Sequence, residues 1–326
     1  MAYNRFLKPR FYTDSINWQA SRGWSKASEL ALEVGSFNSG YSIYDAFDLN
    51  PFNLCSFDTS SGTTHQVLSI DQAVSARPVT FVAILNHNLN TAEGKIRIAH
   101  DTSAISTAGG GSPVGGTTVV FGGSESGGIV TPDSDGDILI TFTESGDRYW
   151  SIEFQDDATW SATDLTVGAI IIGEYYTMPH SPDQSIEHGF MTDGISVQET
   201  VGGKRYANAN WVRGNDETYQ ANYMPFRRAT GLRQMPGREY FSCSFSFLAD
   251  TDMLPSNMKI TGDTDDFAYD VFNKLNWQQF PCIFTPDSTS TTEGDYMFGR
   301  LAGNSFSLTQ QAHNLYSTGF RIEQEF

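Results

Sequence analysis

The chain has 326 residues, of which 39% are hydrophobic, 13% aromatic and only 18% charged, and its formal net charge is -18. That is the composition of a folded, β-rich, turn-rich protein rather than a disordered one. The length exceeds one ordinary core, so two domains are expected, with one long β domain as the alternative. Splitting at Ser185 leaves 9 basic and 21 acidic residues before it (-12), and 11 and 17 after it (-6), so both parts are acidic; this argues against nucleic-acid binding, which needs clustered Lys and Arg.

Residues 1–40 open with Arg5, Lys8 and Arg10, a basic start in an acidic protein, followed by Phe11, Tyr12, Ile16, Trp18 and Trp24 at irregular spacing. They read as an N-terminal arm: an extended or edge strand lying on a neighbouring subunit, or a strand folded back onto its own domain. The first ten residues hold no apolar signal core, and no stretch approaches the length of a membrane span.

Residues 41–180 read as a β-sandwich. Expected strands are Gln66–Ile70, Pro78–Leu85, Lys95–Ala99, Asp137–Phe142, Tyr149–Phe154 and Leu165–Ile172, separated by Gly, Asp and Ser turns. Between Thr102 and Pro132 lies a low-complexity insertion with repeated Gly pairs, which suits mobile turns; Val119–Phe121 is a short hairpin strand within it. It is either a tolerated surface insertion or a loop that contacts a fibre or receptor. Residues 177–186, with two prolines and no apolar period, read as a linker.

Residues 186–326 begin with the strand Ile195–Thr200 and a basic cluster. Lys204, Arg205, Arg213, Arg227, Arg228, Arg233 and Arg238 make seven of the 20 basic residues. In a homo-ring such a face can meet an acidic face of the next subunit; a phosphate or DNA contact and a solvated loop are the other readings. In Glu239–Leu248, Phe241, Cys243, Phe245 and Phe247 alternate with Ser242, Ser244 and Ser246, the period of a half-buried antiparallel strand. Phe267–Trp277 carries Phe267, Val271, Phe272 and Leu275 on one face and reads as a short amphipathic helix, with Asp265 and Asp266 at its start. Short strands follow at Phe280–Pro286, Tyr296–Leu301 and Phe306–Leu308, and a last one at Gly319–Phe326, where Phe320 and Ile322 alternate with charges.

This order of strand, helix and several strands, with the phrases Phe280-Pro-Cys-Ile-Phe-Thr-Pro-Asp287 and Phe320-Arg-Ile-Glu-Gln-Glu-Phe326, resembles the ring-forming barrel-plus-helix domain of tailed-bacteriophage tail proteins of the distal tail, hub or minor tail type. Pro9–Trp18 is similar to the opening of some phage minor tail proteins. The succession Phe81–Leu89, Ile96–Ile98, Trp150–Phe154 and Ile170–Glu174 resembles a galactose-binding-like (discoidin-type) jelly roll. The implied fold is mainly β: a galactose-binding-like sandwich followed by a tail-tube-like β-barrel with one flanking α-helix. The implied function is a structural virion protein, a ring-forming distal tail component joining the tail tube to tip or fibres. The partners are then copies of itself in a ring, expected to be a hexamer, together with tube and tip or fibre proteins. The acidity would let DNA pass through the lumen without sticking.

Candidate sites are few. Arg227, Arg228, Arg233, Phe320 and Ile322 are the candidate subunit-interface residues. Asp133, Asp135 and Asp137 place oxygen ligands at alternate positions, as calcium loops do, but Gly136 is fourth in the run rather than sixth, and a hairpin approach explains the loop as well. His87, within Asn86-His-Asn88, is either a base or ligand or a buried polar turn. Pairs such as Asp156–Asp157 and Asp265–Asp266, with Asp263, could serve glycoside hydrolysis, yet no nucleophile elbow, Walker loop or His-Glu-x-x-His occurs, and no catalytic constellation or cofactor is expected. Cys55, Cys243 and Cys282 fit neither a zinc spacing nor a disulfide framework, so buried free thiols and assembly in a host cytoplasm are expected before export in the virion. The alternatives to a building block are a carbohydrate- or receptor-binding spike module, with the sandwich in contact with glycan, and a glycan-cleaving enzyme.

Overall fold

A computed structural model describes residues 7–59, 65–73, 77–156, 160–161, 163–184, 186–191, 195–209, 238–254, 266–303 and 307–325. Among them the chain is mainly β. The first strands are β1 (Arg10–Asp14), β2 (Leu30–Val34), β3 (Cys55–Ser56), β4 (His65–Asp71), β5 (Val79–His87) and β6 (Lys95–Asp101). Then come β7 (Ser112–Pro113), β8 (Thr118–Phe121), β9 (Gly123–Ser126), β10 (Ile129–Pro132), β11 (Gly136–Ser145), β12 (Tyr149–Gln155), β13 (Thr166–Val167) and β14 (Ala169–Thr177). The last are β15 (Glu187–Met191), β16 (Ile195–Glu199), β17 (Arg205–Ala209), β18 (Arg238–Ala249), β19 (Cys282–Thr285), β20 (Met297–Ala302), β21 (Thr309–Ala312) and β22 (Leu315–Gln324).

One eleven-stranded antiparallel sheet runs in the order β15-β18-β22-β20-β19-β1-β14-β5-β11-β8, with β21 added on β22; a seven-stranded sheet runs β2-β4-β12-β6-β10-β9, with β7 on β6. The two sheets face each other as a sandwich. In β12 the alternation turns Trp150, Ile152 and Phe154 inward, where they meet Leu68 and Ile70 of β4, Ile96 and Ile98 of β6, and Ile84, Ile138, Ile140 and Ile170 from the larger sheet. Strand β5 is buried along its whole length because both its faces are covered. Its other side, Phe81, Ala83 and Leu85, joins Tyr12, Leu139, Ile171, Ile283, Tyr296 and Phe298 in a second core.

That second core shows how the larger sheet curls. Tyr296, which precedes β20, lies 4.9 Å ring to ring from Phe121 at the far end of the sheet, and Tyr12 sits between Phe81 and Tyr296. The sheet therefore bends back on itself through side chains, but among the described residues its ends do not pair and no closed barrel forms. The barrel expected over 186–326 is thus corrected to part of an open, curled sheet. Sequence alternation predicts strands but carries no information on which edges meet.

Of the two readings of residues 1–40, an arm on a neighbouring subunit or a strand folded back onto its own domain, the described residues show the second. Strand β1 is central: it pairs with β14 on one side, Tyr12 opposite Tyr175, and with β19 on the other, Phe11 opposite Phe284. Its Phe11 points into a third core with Phe245, Phe267, Phe284, Phe320 and Ile322. The irregular spacing of large residues here reflects a strand, β1, followed at once by helix α1 (Ser15–Ala20). Buried Asp14 caps that helix, accepting from the Asn17 amide at 2.7 Å and the Ile16 amide at 3.3 Å. Where β14 crosses this turn it has Gly173; a Cβ there would sit 2.1 Å from the Thr13 carbonyl oxygen. The linker is likewise tied down, the Met178 amide donating to the Pro9 carbonyl and the Asp183 amide to that of Ser244.

The expected helix at Phe267–Trp277 is a π-helix, Ala268–Asn273, followed by turns. Its wider winding is visible in the amides of Lys274 and Trp277, which donate to carbonyls five residues back. The apolar face is as read: Phe267, Val271, Phe272 and Leu275 are all buried. Asp266 accepts from the Tyr269 amide at 2.8 Å at its start; Asp265 lies outside the described residues.

Candidate functional site

The residues singled out from sequence do not converge. Phe320 and Ile322, expected at a subunit interface, are buried in the chain's own third core, because β22 is flanked by β18 and β20 rather than lying at an edge. Arg227, Arg228 and Arg233 lie outside the described residues. Asp137 is buried and accepts from the Asn86 amide at 3.0 Å, Asp135 accepts from the Thr91 amide at 2.9 Å, and Asp133 accepts from the Ser134 hydroxyl. Asp135 and Asp137 thus hold neighbouring backbone and Asp133 a neighbouring hydroxyl, and no three His, Cys, Asp or Glu side chains among the described residues form a metal-ligand group. His87 is buried and its Nδ1 accepts from the Leu89 amide at 3.3 Å, which puts the proton on Nε2. Burial pushes its pKa down to about 4, against the pull of Asp135 and Asp133, so it is a neutral core histidine at physiological pH.

The glycine-rich insertion is strapped to the outer face of the smaller sheet. Buried Glu153 on β12 accepts from the Gly109 amide, from Arg97 at 3.2 Å and from His65 Nδ1 at 2.6 Å, while Arg97 donates to the carbonyls of Gly110 and Gly111. Strand β8 leaves the insertion altogether and pairs with β11. Near this strap His100 Nδ1 faces both Asp147 and, at 3.3 Å, the Ser145 hydroxyl. A nucleophilic relay needs the carboxylate on one ring nitrogen and the hydroxyl on the other; here both meet the same nitrogen, which suits a turn lock and not a relay.

The surface feature that sequence reading missed is on β18. Its pairing with β22 slips between Phe245 and Leu248, a β-bulge. At the bulge Phe247 takes a left-handed backbone, φ 63°, and its ring is 67% exposed, while Leu248 fills the core position instead. Phe247 was expected on the same face as Phe241, Cys243 and Phe245; the extra residue at the bulge re-aims it outward. Trp277 repeats the pattern, with φ 70° and 55% exposure. A left-handed backbone costs a non-glycine residue about 1–3 kcal/mol, and such strain concentrates at functional sites. Next in the chain to β15, strands β16 and β17 pair with each other as a two-stranded sheet, with no further strand beside them among the described residues. Residues 198–206 of this hairpin are all exposed, Val201 and Tyr206 among them.

The two parts of the chain are joined by a buried ion cluster. Lys274 Nζ, at the end of the π-helix, lies 2.5 Å from Glu174 of β14 and 3.1 Å from Asp270. Burial alone would push the ammonium down, but Asp270 and Glu174 outweigh it and hold the pKa above the usual lysine value. Arg300 forks onto Glu325 through two bonds, 2.9 and 2.6 Å, so this cation too is neutralised within the chain.

No helix among the described residues is long and apolar enough to cross a membrane. No protein-family model matches the chain, and no curated protein matches it. Among solved structures, chitosan-binding module 1 derived from a chitosanase/glucanase of Paenibacillus sp. IK-5 is similar over 44% of this chain and 93% of its own, at 16% identity and a TM-score of 0.31. At that score neither fold nor function is carried across.

Proposed function

We propose that this chain is a structural subunit that works by assembling with copies of itself, as the ring-forming tail components of tailed bacteriophages do, and that it joins a tail tube to tip or fibre proteins. The observation that carries the reading is Phe247, an aromatic ring held out of a well-packed core by a strained bulge. An isolated subunit gains nothing from that arrangement, since it bears the backbone strain and leaves the ring in water; a subunit that buries the ring against a neighbour recovers about 1.5–3 kcal/mol per fully buried ring. Every large hydrophobic residue more than half exposed among the described residues, Phe190, Val201, Tyr206, Phe247 and Trp277, follows the linker. The net charge of -18 suits a wall past which DNA slides.

The test is size-exclusion chromatography with light scattering on the full chain over a dilution series. The expected result is a concentration-dependent mass at multiples of the 36.0 kDa subunit. A 36.0 kDa species at every concentration would remove the reading.

A further inference from the structure

In this acidic chain Arg97, Arg148, Arg205, Arg238, Arg300 and Arg321 each lie within 4.0 Å of a carboxylate. Arg22 differs. It is exposed in the turn after α1, and among the described residues its guanidinium donates to neutral acceptors. These are the Trp18 carbonyl at 3.4 Å, the Ser21 hydroxyl at 3.1 Å, the Asn273 carbonyl at 3.5 Å and the Asn273 side-chain oxygen. The guanidinium carbon of Arg22 stands 4.4 Å from the centre of the Trp18 ring, and that of Arg77, just ahead of β5, stands 5.4 Å from it. Trp18 is itself fixed: it is buried, its indole nitrogen donates to Asn273 Oδ1 at 3.4 Å, and its ring meets Tyr269 edge-on at 6.2 Å. Two cations thus share one rigid aromatic platform. They also feel each other, since burial pushes the Arg22 pKa down and Arg77 adds to that, against an opposing pull from Tyr269. Asn273 ties this platform to the exposed aromatic of the assembly surface: its neighbour Phe272 lies 6.4 Å ring to ring from Trp277.

We propose that Arg22 and Arg77, with Trp277 four residues beyond Asn273, form one side of a subunit contact that takes a carboxylate-bearing face of a second copy of the chain. The contact rests on the assembly reading proposed above and gives one of its interfaces a chemistry. A second copy supplies the complementary charge, because 38 acidic residues against 20 basic ones leave carboxylates in excess on any neighbour. A guanidinium already held over a ring loses little freedom when its N–H edge receives a carboxylate, and binding energy at protein interfaces concentrates in Arg and Trp. Like charges across an interface cost several kcal/mol, so two acidic subunits need such a cationic point of contact to fix their register. Nucleic acid is the poorer occupant: two cations do not offset the repulsion between a phosphate backbone and a chain of net charge -18.

The experiment is sedimentation velocity on the full chain over a concentration series, at about 0.05 M and about 0.5 M sodium chloride. Wild type is compared with Arg22→Lys, Arg22→Gln, Arg22→Glu and Arg77→Gln, each first checked for an unchanged circular dichroism spectrum. At the lower salt both Gln variants are expected to associate about tenfold more weakly than wild type. Arg22→Lys should fall between wild type and Arg22→Gln, and Arg22→Glu below both, because its charge repels the incoming carboxylate. The gap between wild type and the Gln variants should shrink at the higher salt, where the charges are screened. Arg77→Gln, on a separate segment, carries the test if the Arg22 variants fail to fold. Association equal to wild type in both Gln variants, or equal losses in Arg22→Gln and Arg22→Glu at either salt, would overturn the contact and leave the assembly reading in place. A wild-type chain that stays at 36.0 kDa at every concentration would remove both.

Discussion

Replacing Phe247 by Asn separates what the residue does within the subunit from what it does between subunits. Within the subunit Phe247 contributes little packing, since its ring is 67% exposed and Leu248 occupies the core position behind it. Its left-handed backbone, φ 63°, is a conformation Asn tolerates far better than Phe. The subunit is therefore expected to gain about 1 kcal/mol, seen as a higher urea midpoint at unchanged slope under dilution that keeps it dissociated. Between subunits the ring still has about two-thirds of its surface to bury, a loss of about 1–2 kcal/mol per contact on removal, or a 5- to 30-fold weaker association. Sedimentation velocity over a concentration series measures that directly. A variant that is less stable as a subunit yet associates as well as wild type would refute the reasoning, because the bulge would then serve the subunit's own packing.

Other perturbations test the frame. Lys274→Met leaves Glu174 and Asp270 without their cation in a buried seam and is expected to cost about 3–5 kcal/mol in chemical denaturation; adding Glu174→Gln and Asp270→Asn should recover much of it. Phe11→Ala removes a fully buried ring that meets Phe267, Phe284 and Phe320, and should cost about 3–5 kcal/mol; a cost below about 1 kcal/mol would mean that β1 is not central. His87 has a folded pKa of about 4 against an ordinary 6.5, so its contribution is complete above pH 6.5 and is lost as pH falls toward 4, by about 3 kcal/mol; His87→Gln should flatten that part of the stability profile. Burial pushes the Cys55 and Cys282 thiols up to about 12 and Cys243 further, so Ellman's reagent at pH 8 should react only after denaturant is added.

The strands were largely legible because their hydrophobic period is local. Lys95–Ala99 and Tyr149–Phe154 lie inside β6 and β12 as read, and Pro78–Leu85 lies inside β5 except for Pro78, which precedes it. The run Leu165–Ile172 divides into β13 and β14 at Gly168, where a Cβ would meet the Pro51 carbonyl oxygen at 2.2 Å, a contact with a residue more than a hundred positions away in the chain. Position within the sheet was not legible: nothing in Arg10–Asp14 announces that β14 and β19 lie on either side of it, and nothing in Gly319–Phe326 announces that Phe320 and Ile322 face inward to Phe11. The candidate surface was least visible of all. Strict alternation from Phe241 to Phe247 predicts one buried face, and only the slip against β22 shows that the last member points out. A faint signal was present, since Leu248 breaks the alternation by placing two large apolar residues side by side.

The measurement that bears most directly on the building-block account is electron microscopy of the purified full chain in negative stain, above the concentration at which light scattering shows association. The account predicts closed rings of identical subunits around an open centre, lost in Phe247→Asn at the same concentration. A uniform field of single 36.0 kDa particles, or irregular clusters that Phe247→Asn leaves unchanged, would contradict it.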